Sequence, residues 1–379
     1  MDLTFSEADE AFRHEARQWL RENVPAAPLP SGDTRDGFAA HLDWERRLFD
    51  AGWSVVSWPA AYGGRDASVW QWLIFEEEYY RAGAPQRVTQ NGIFLLAPSL
   101  FAFGTPEQRD RLLPAMARAE QTWCQGWSEP GAGSDLAAIT SRARRNDAAG
   151  GWLLSGQKTW TTRGAFCTHM FGLFRTDPQA QRHRGLTYFL VPLDADGVQV
   201  RGFGRLDGDE GFADVFLSDV FVPDEDVLGG VGEGWRVAMT TTGSERGLTL
   251  RSPGRFTAAV RRLIELAGQR PDAVTPRLRE RIVRSWVAAE AYQLFTLRQV
   301  TSMIEGTAQA AASSLNKLHW SELDVALTET AMQLLGPDSE VDDVWPRAFQ
   351  FSLAGPLYAG TNEIQRNIVA ERLLGLPRS

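Results

Sequence analysis

The stretch WCQGWSEPGAGSDLA, residues 123–137, packs two tryptophans, two serine hydroxyls and three glycines into one short segment. Glycines reach backbone conformations closed to other residues and let bare N–H groups approach a ligand. Trp127 adds an apolar face, and Ser128 and Ser134 add hydroxyls, a set suited to gripping a polar ring system and a phosphate. Taken alone, the segment also reads as a structural β-turn. A second stretch some twenty residues on, SGQKTWTT (155–162), has strand character and carries Trp160, Thr161 and Thr162. Together the two point to a binding surface mounted on a β domain.

Working outward, short β-type runs separated by turn residues continue the pattern: GWLLSGQKTW, HMFGLFRTD, GLTYFLVPLD, VQVRGF and FADVFLSDVFVP. They predict a compact β domain over residues 119–224. Residues 1–118 read as helical, with Ser6 as an N-cap, acids in the first turn, and a helix opened by Thr105 and Pro106. After residue 225 the helical period returns, and the run from Thr275 to Gly336 is too long for one globular helix and breaks near Gly306. The expected fold is therefore an α+β multi-domain chain: an N-terminal helical domain (1–118), a middle β domain (119–224) and a C-terminal helical bundle (225–379), without an internal repeat.

Composition excludes several classes of function. The chain has 379 residues, is 43% hydrophobic and carries a net charge of -9, enough for substantial cores and without the basic stripe that tracks nucleic acid. Two cysteines, Cys124 and Cys167, form no CxxC, and the five histidines lack metal-ligand spacing. The N-terminal segment is acidic and amphipathic rather than a signal peptide, and no run reaches transmembrane length, so a cytoplasmic protein without membrane insertion is expected. GGVGEG at 229–234 fails the GxGxxG spacing and reads as a surface turn. Only Lys158 and Lys317 are lysine, a bias that reads as genomic composition.

Residues 123–137 and 155–162 resemble the two signatures of the acyl-CoA dehydrogenase family, and the likeness runs from DEAFR (9–13) to GTNEIQRNIVAERLLG at the C-terminus, essentially the whole chain. The resemblance implies a helical domain, a β-barrel and a four-helix bundle, bound FAD, an acyl-CoA thioester as substrate and an electron-transfer flavoprotein or similar acceptor. It implies flavin contacts at Gln125, Trp127, Ser128, Gly133, Ser134, Trp160 and Thr162, and at Thr361 and Glu363 near the C-terminus. The chemistry removes a proton from C2 and a hydride from C3 while hydrogen bonds hold the thioester oxygen.

Most of that family carry the catalytic glutamate just before the Gly-Thr of the C-terminal motif, where this chain has Ala359. A minority, including isovaleryl-CoA, long-chain and steroid side-chain enzymes, place it on a helix directly before an arginine. Glu245-Arg246 matches that arrangement. The resemblance thus implies Glu245 as base, Arg246 as its orienting or charge-balancing neighbour, and the Ala359 backbone N–H as oxyanion donor. Alternatively Glu245 and Arg246 form a solvated pair at a helix end.

Two family features are eroded. The Arg-x-x-Phe-Gly segment that reaches a neighbouring subunit's FAD is missing, and the Gln-x-x-Gly-Gly-x-Gly loop keeps Gln333 and Gly336 but has Pro337. Both serve a neighbour's cofactor, which suggests a heteromer with a related subunit. Drift compensated by Arg277 or Arg279 in a homo-oligomer is the other explanation. An oxidase or flavin monooxygenase on the same fold, or a non-catalytic assembly subunit, are the competing functions.

Overall fold

The computed structural model describes residues 4–246, 252–307, 311–341 and 344–377; the side chains of Glu245 and Arg246 lie outside the described residues. Helices α1 (Glu7–Asn23), α2 (Arg35–Asp50), α3 (Val69–Arg81), α4 (Ala97–Phe103) and α5 (Pro106–Ala117) come first. Ser6, Ser68 and Thr105 open α1, α3 and α5 with reciprocal capping boxes, which satisfy orphan N–H groups at each start. Strands β1 (Trp123–Gly126), β2 (Arg142–Asn146), β3 (Gly151–Thr162), β4 (His169–Arg175), β5 (Leu186–Pro192), β6 (Val198–Phe203), β7 (Phe212–Pro223) and β8 (Val227–Leu228) follow. Then come α6 (Gly234–Arg246), α7 (Pro253–Gln269), α8 (Pro276–Ile304), α9 (Ala312–Leu335), α10 (Val344–Ser352) and α11 (Asn362–Arg372). Among the described residues no helix is long and apolar enough to cross a membrane.

By internal packing the chain divides into two units, and the N-terminal helices are shared between them. One unit comprises Met1–Ala26, Ala67–Ala84 and Arg246–Ser379; the other comprises Ala27–Asp66 and Pro85–Glu245.

In the first unit, α1 and α3 are stitched by charge. Glu78, almost fully buried, takes Arg17 at 2.9 Å and Arg13 at 3.2 Å, and Arg13 also reaches Glu77 at 3.0 Å. Helix α7 lies tight on α3 because Gly254 has no side chain: a Cβ there would stand 2.9 Å from the Glu77 Cα. The bundle core gathers Phe256, Leu263, Tyr292, Trp320, Leu327 and Trp345, each contributing about 1.5–3 kcal/mol on burial. Helix α8 ends at Ile304, with Gly306 at φ +69° leaving the helical region, the break expected from the sequence.

In the second unit the strands form an eight-stranded sheet ordered β6-β7-β3-β2-β4-β5-β8, with β1 added in parallel to β4. Its apolar side packs Leu154, Phe174, Phe189, Val191, Val215 and Val222. The five β-type runs picked out in the sequence correspond to β3 through β7. GGVGEG is the surface turn expected: Gly229 and Gly232 have positive φ, Gly232 N–H donates to Thr187 Oγ1 at 2.8 Å, and Gly234 starts α6.

Candidate active site

Strand β3 pairs with β7, but the register slips between Lys158 and Thr161. A bulge of this kind re-aims the side chains at the slip. Trp160 sits in it at φ +58°, a costly conformation for a bulky residue. Its ring is 60% exposed and rests on the edges of Phe203 and Phe212, with centroids 5.2 and 5.5 Å away. The sheet thus raises an aromatic face without covering it. Thr161 turns inward and donates to the Ala213 carbonyl at 2.7 Å, whereas Thr162 is half-buried and makes no side-chain hydrogen bond among the described residues.

Residues 128–141 form the loop beside this strand. Ser128 is tied to it through its carbonyl, which accepts from Thr159 N–H at 2.9 Å. Glu129 is the hub of the loop. Its carboxylate accepts from Thr140 N–H at 2.6 Å, Thr140 Oγ1 at 2.9 Å, Ser141 N–H at 3.0 Å and Lys158 Nζ at 2.8 Å. With both ends of the loop so fixed, Gly133 and Ser134 are left exposed with no hydrogen bond among the described residues, and a Cβ on Gly131 or Gly133 would meet nothing within 4 Å. Trp127 is buried with its indole N–H unpartnered, and Gln125 stands half-buried on β1.

Burial opposes ionisation of Glu129, but the Lys158 charge and the surrounding donors win and hold its carboxyl down at about 2. A carboxyl whose folded pKa lies below its unfolded value of 4.5 contributes stability above pH 4.5 and loses it as pH falls toward about 2. Urea unfolding from pH 5 to pH 2 is expected to show the parent losing up to about 3 kcal/mol more than Glu129→Gln. Equal pH slopes for the two proteins contradict the assignment.

The C-terminal motif forms a turn before α11. Ala359 and Gly360 have φ of +57° and +77°, and their carbonyls both accept from the buried Gln365 Nε2, at 3.1 and 3.2 Å. Thr361 caps α11, accepting from Ile364 N–H at 3.3 Å. Glu363 is exposed in the first turn, its carboxyl lowered by its own backbone N–H and by Thr361. Gln333 is exposed near the end of α9. Gly336 caps that helix and Pro337 opens a short 3-10 turn, where Asp338 pairs with Arg270 at 2.7 Å. Arg277 and Arg279 are exposed in the first turn of α8 and form no ion pair among the described residues.

Glu245 and Arg246 belong to the last turn of α6. Their side chains are outside the described residues.

Comparison with known proteins places these features. Residues 6–120, 124–220 and 232–374 match the N-terminal, middle and C-terminal domains of acyl-CoA dehydrogenases. The chain is 40% identical to acyl-CoA dehydrogenase IpdE1 of Mycobacterium tuberculosis, over 97% of its own length and 98% of the relative's. It is 38% identical to acyl-CoA dehydrogenase FadE34 of the same organism, over 89% of this chain and 47% of that longer one. Among solved structures, the Tcur3481-Tcur3483 steroid ACAD matches with a TM-score of 0.89 at 26% identity, and the ChsE4-ChsE5 complex from Mycobacterium tuberculosis with 0.83 at 26%, each covering 100% of both chains. The chain belongs to the acyl-CoA dehydrogenase family, FAD-dependent flavoproteins, and is itself an acyl-CoA dehydrogenase. The order of helical, sheet and helical parts is the one the motif resemblance implies.

The residues present fit a flavin. Trp160 offers an uncovered aromatic face, Trp127 a buried N–H without a partner, and Gly133 and Ser134 unbonded donors in open space. Glu129 and Lys158 escaped the sequence reading although both stand inside the quoted motifs. The signal for Lys158 was its rarity, which composition alone does not explain: both lysines of the chain are fully buried.

Proposed function

We propose that this chain converts an acyl-CoA thioester to its 2,3-enoyl-CoA, with Glu245 as the base that takes the C2 proton, Arg246 balancing its charge, and the Ala359 N–H donating to the thioester oxygen. FAD, when bound, supplies the hydride acceptor for C3. Gln125, Trp127, Ser128, Gly133, Ser134, Trp160 and Thr162 hold it from the middle domain; Thr361 and Glu363 serve it from the C-terminal domain, and Gln333 serves it in an assembly. The observation that supports this reading is the 358–361 turn: alanine stands where most of the family carry the carboxylate, and its backbone is left-handed with its carbonyl held by Gln365. Holding a non-glycine residue there costs free energy, which suits a backbone donor that is needed. Only the carboxylate has to come from elsewhere, and Glu245 is the matching candidate.

The likeness to structures described as steroid ACADs supports an acyl group on a steroid-derived skeleton. A heteromer with a related acyl-CoA dehydrogenase subunit is supported by the two-component complexes among the structural matches. Val283, Trp286 and Val287, each about half exposed along α8, fit an assembly of either kind, and Arg277 and Arg279, exposed in the first turn of α8, keep the homo-oligomer alternative open. An electron-transfer flavoprotein or similar acceptor would take up the electrons, and the chain would act in the cytoplasm. A second reading, a non-catalytic assembly subunit, draws on Ala359 and the eroded loops. Anaerobic mixing of the FAD-loaded assembly with acyl-CoAs separates the two: bleaching that vanishes with Glu245→Gln in this chain supports catalysis here, and bleaching indifferent to it supports the assembly role.

The stacking surface has its own test. Trp160→Ala is expected to weaken FAD binding about tenfold, as the aromatic contact is worth about 1 kcal/mol beyond buried area. Fluorescence titration showing unchanged affinity contradicts a role for that face.

A further inference from the structure

Of 39 basic residues, two are lysine, and neither exposes any surface. Burying an ammonium is costly unless its protons are all directed at partners. A lysine also differs from an arginine in shape: it is a compact charge on an unbranched stem, where a guanidinium needs a broad planar slot. The chain uses arginine at its exposed cationic positions and at the buried Arg13, Arg87 and Arg163, whereas lysine occurs only at two fully buried sites, and each lies behind a segment assigned to the flavin.

Lys158 Nζ donates to Glu129 Oε1 at 2.8 Å and to the Leu173 carbonyl at 2.7 Å, and it lies 4.7 Å from the Phe174 ring centroid. It therefore joins the hub of the 129–141 loop to β3, two residues before Trp160. Lys317 Nζ donates to Asn362 Oδ1 at 2.7 Å, an oxygen that also accepts from Ser321 Oγ at 3.1 Å. Asn362 N–H donates to the Pro356 carbonyl at 2.9 Å, closing the loop that contains Ala359, Gly360 and Thr361. Neighbouring Trp320 stacks on Tyr358, with centroids 5.8 Å apart. With no exposed surface of its own, neither lysine touches a ligand, yet each fixes the backbone that presents ligand-facing groups.

We propose that Lys158 and Lys317 are the positioning residues of the flavin site, each setting from behind the backbone of one flavin-facing segment, in a way arginine cannot replace. The proposal rests on the FAD reading above. Within a motif, the visible residues do the contacting; each lysine holds the backbone of its own segment from behind.

The test uses the FAD-loaded assembly carrying Lys158→Arg or Lys317→Arg, with exposed Arg144→Lys as control. FAD affinity is measured by flavin fluorescence, the bound flavin by its visible absorption band, and folding by thermal circular dichroism. Each lysine variant is expected to bind FAD at least about tenfold more weakly, with the band shifted toward that of free FAD, while the control matches the parent. Variants that melt earlier but whose folded fraction binds FAD with parental affinity and spectrum overturn the proposal, because the lysines then serve stability alone. Should an arginine variant not fold, Lys158→Met with Glu129→Gln and, separately, Lys317→Met remove the charge at similar volume. Exchange of a buried ion pair for neutral groups is commonly tolerated. Unchanged FAD affinity in those proteins overturns the proposal equally. A parent assembly that binds no FAD removes the flavin reading itself and the proposal with it, an outcome distinct from a loaded parent with indifferent variants.

Discussion

Glu245→Gln is expected to slow flavin reduction by acyl-CoA about a hundred- to ten-thousand-fold, the usual worth of a positioned general base. Glutamine keeps the size and hydrogen-bonding reach of the side chain but cannot accept the proton, so FAD affinity should stay at the parental value. The C-terminal turn offers an independent check. By the family resemblance Ala359 stands where most members carry the carboxylate, and its carbonyl accepts from Gln365 at 3.1 Å. Adding Ala359→Glu to Glu245→Gly should recover part of the lost rate, because a carboxylate is restored while the first side chain makes room. Recovery is expected to be partial, since on the proposed reading the surrounding groups are arranged for a base carried on α6. Anaerobic stopped-flow absorbance reads both effects. A Glu245→Gln protein that bleaches as fast as the parent overturns Glu245 as the base, which then belongs to another residue of this chain or to the partner subunit.

The second large effect concerns assembly. Expressed alone, the chain is expected to retain FAD well below stoichiometry, and co-expression with a related subunit that has the Arg-x-x-Phe-Gly segment should bring occupancy to completion. The reason lies in the two eroded elements that the family resemblance assigns to a neighbour's cofactor. Asp338 of the Gly336–Glu340 turn pairs with Arg270 of the same chain, and the next residue after Gly336 is proline, which has no N–H to offer. The flavin-to-protein absorbance ratio and light-scattering mass measure this. A homogeneous homo-oligomer with full flavin loading contradicts it.

Much of the fold was legible because its signals are local. Serine and threonine caps announced α1 and α5, β-type runs between turn residues announced β3 through β7, and Gly306 announced the end of α8. What sequence could not show depends on partners distant along the chain. The slip that lifts Trp160 exists only relative to β7. The division of the N-terminal helices, with α1 and α3 in one unit and α2, α4 and α5 in the other, follows from which surfaces pack. At the candidate site, the glycines and serine hydroxyls of residues 123–137 were readable in the sequence, whereas the buried pairing of Glu129 with Lys158 was not. Glu129 and Lys158 look like ordinary charges in a string of letters. Their role appears only when burial shows that each charge answers the other.

The most direct measurement is an anaerobic titration of the FAD-loaded assembly with a panel of acyl-CoAs that includes steroid-derived ones, followed by mass spectrometry of the thioester. Bleaching of the flavin with formation of a product two hydrogens lighter and unsaturated between C2 and C3 is the predicted result. A flavin that stays oxidised with every thioester, or a product that has gained oxygen, contradicts it.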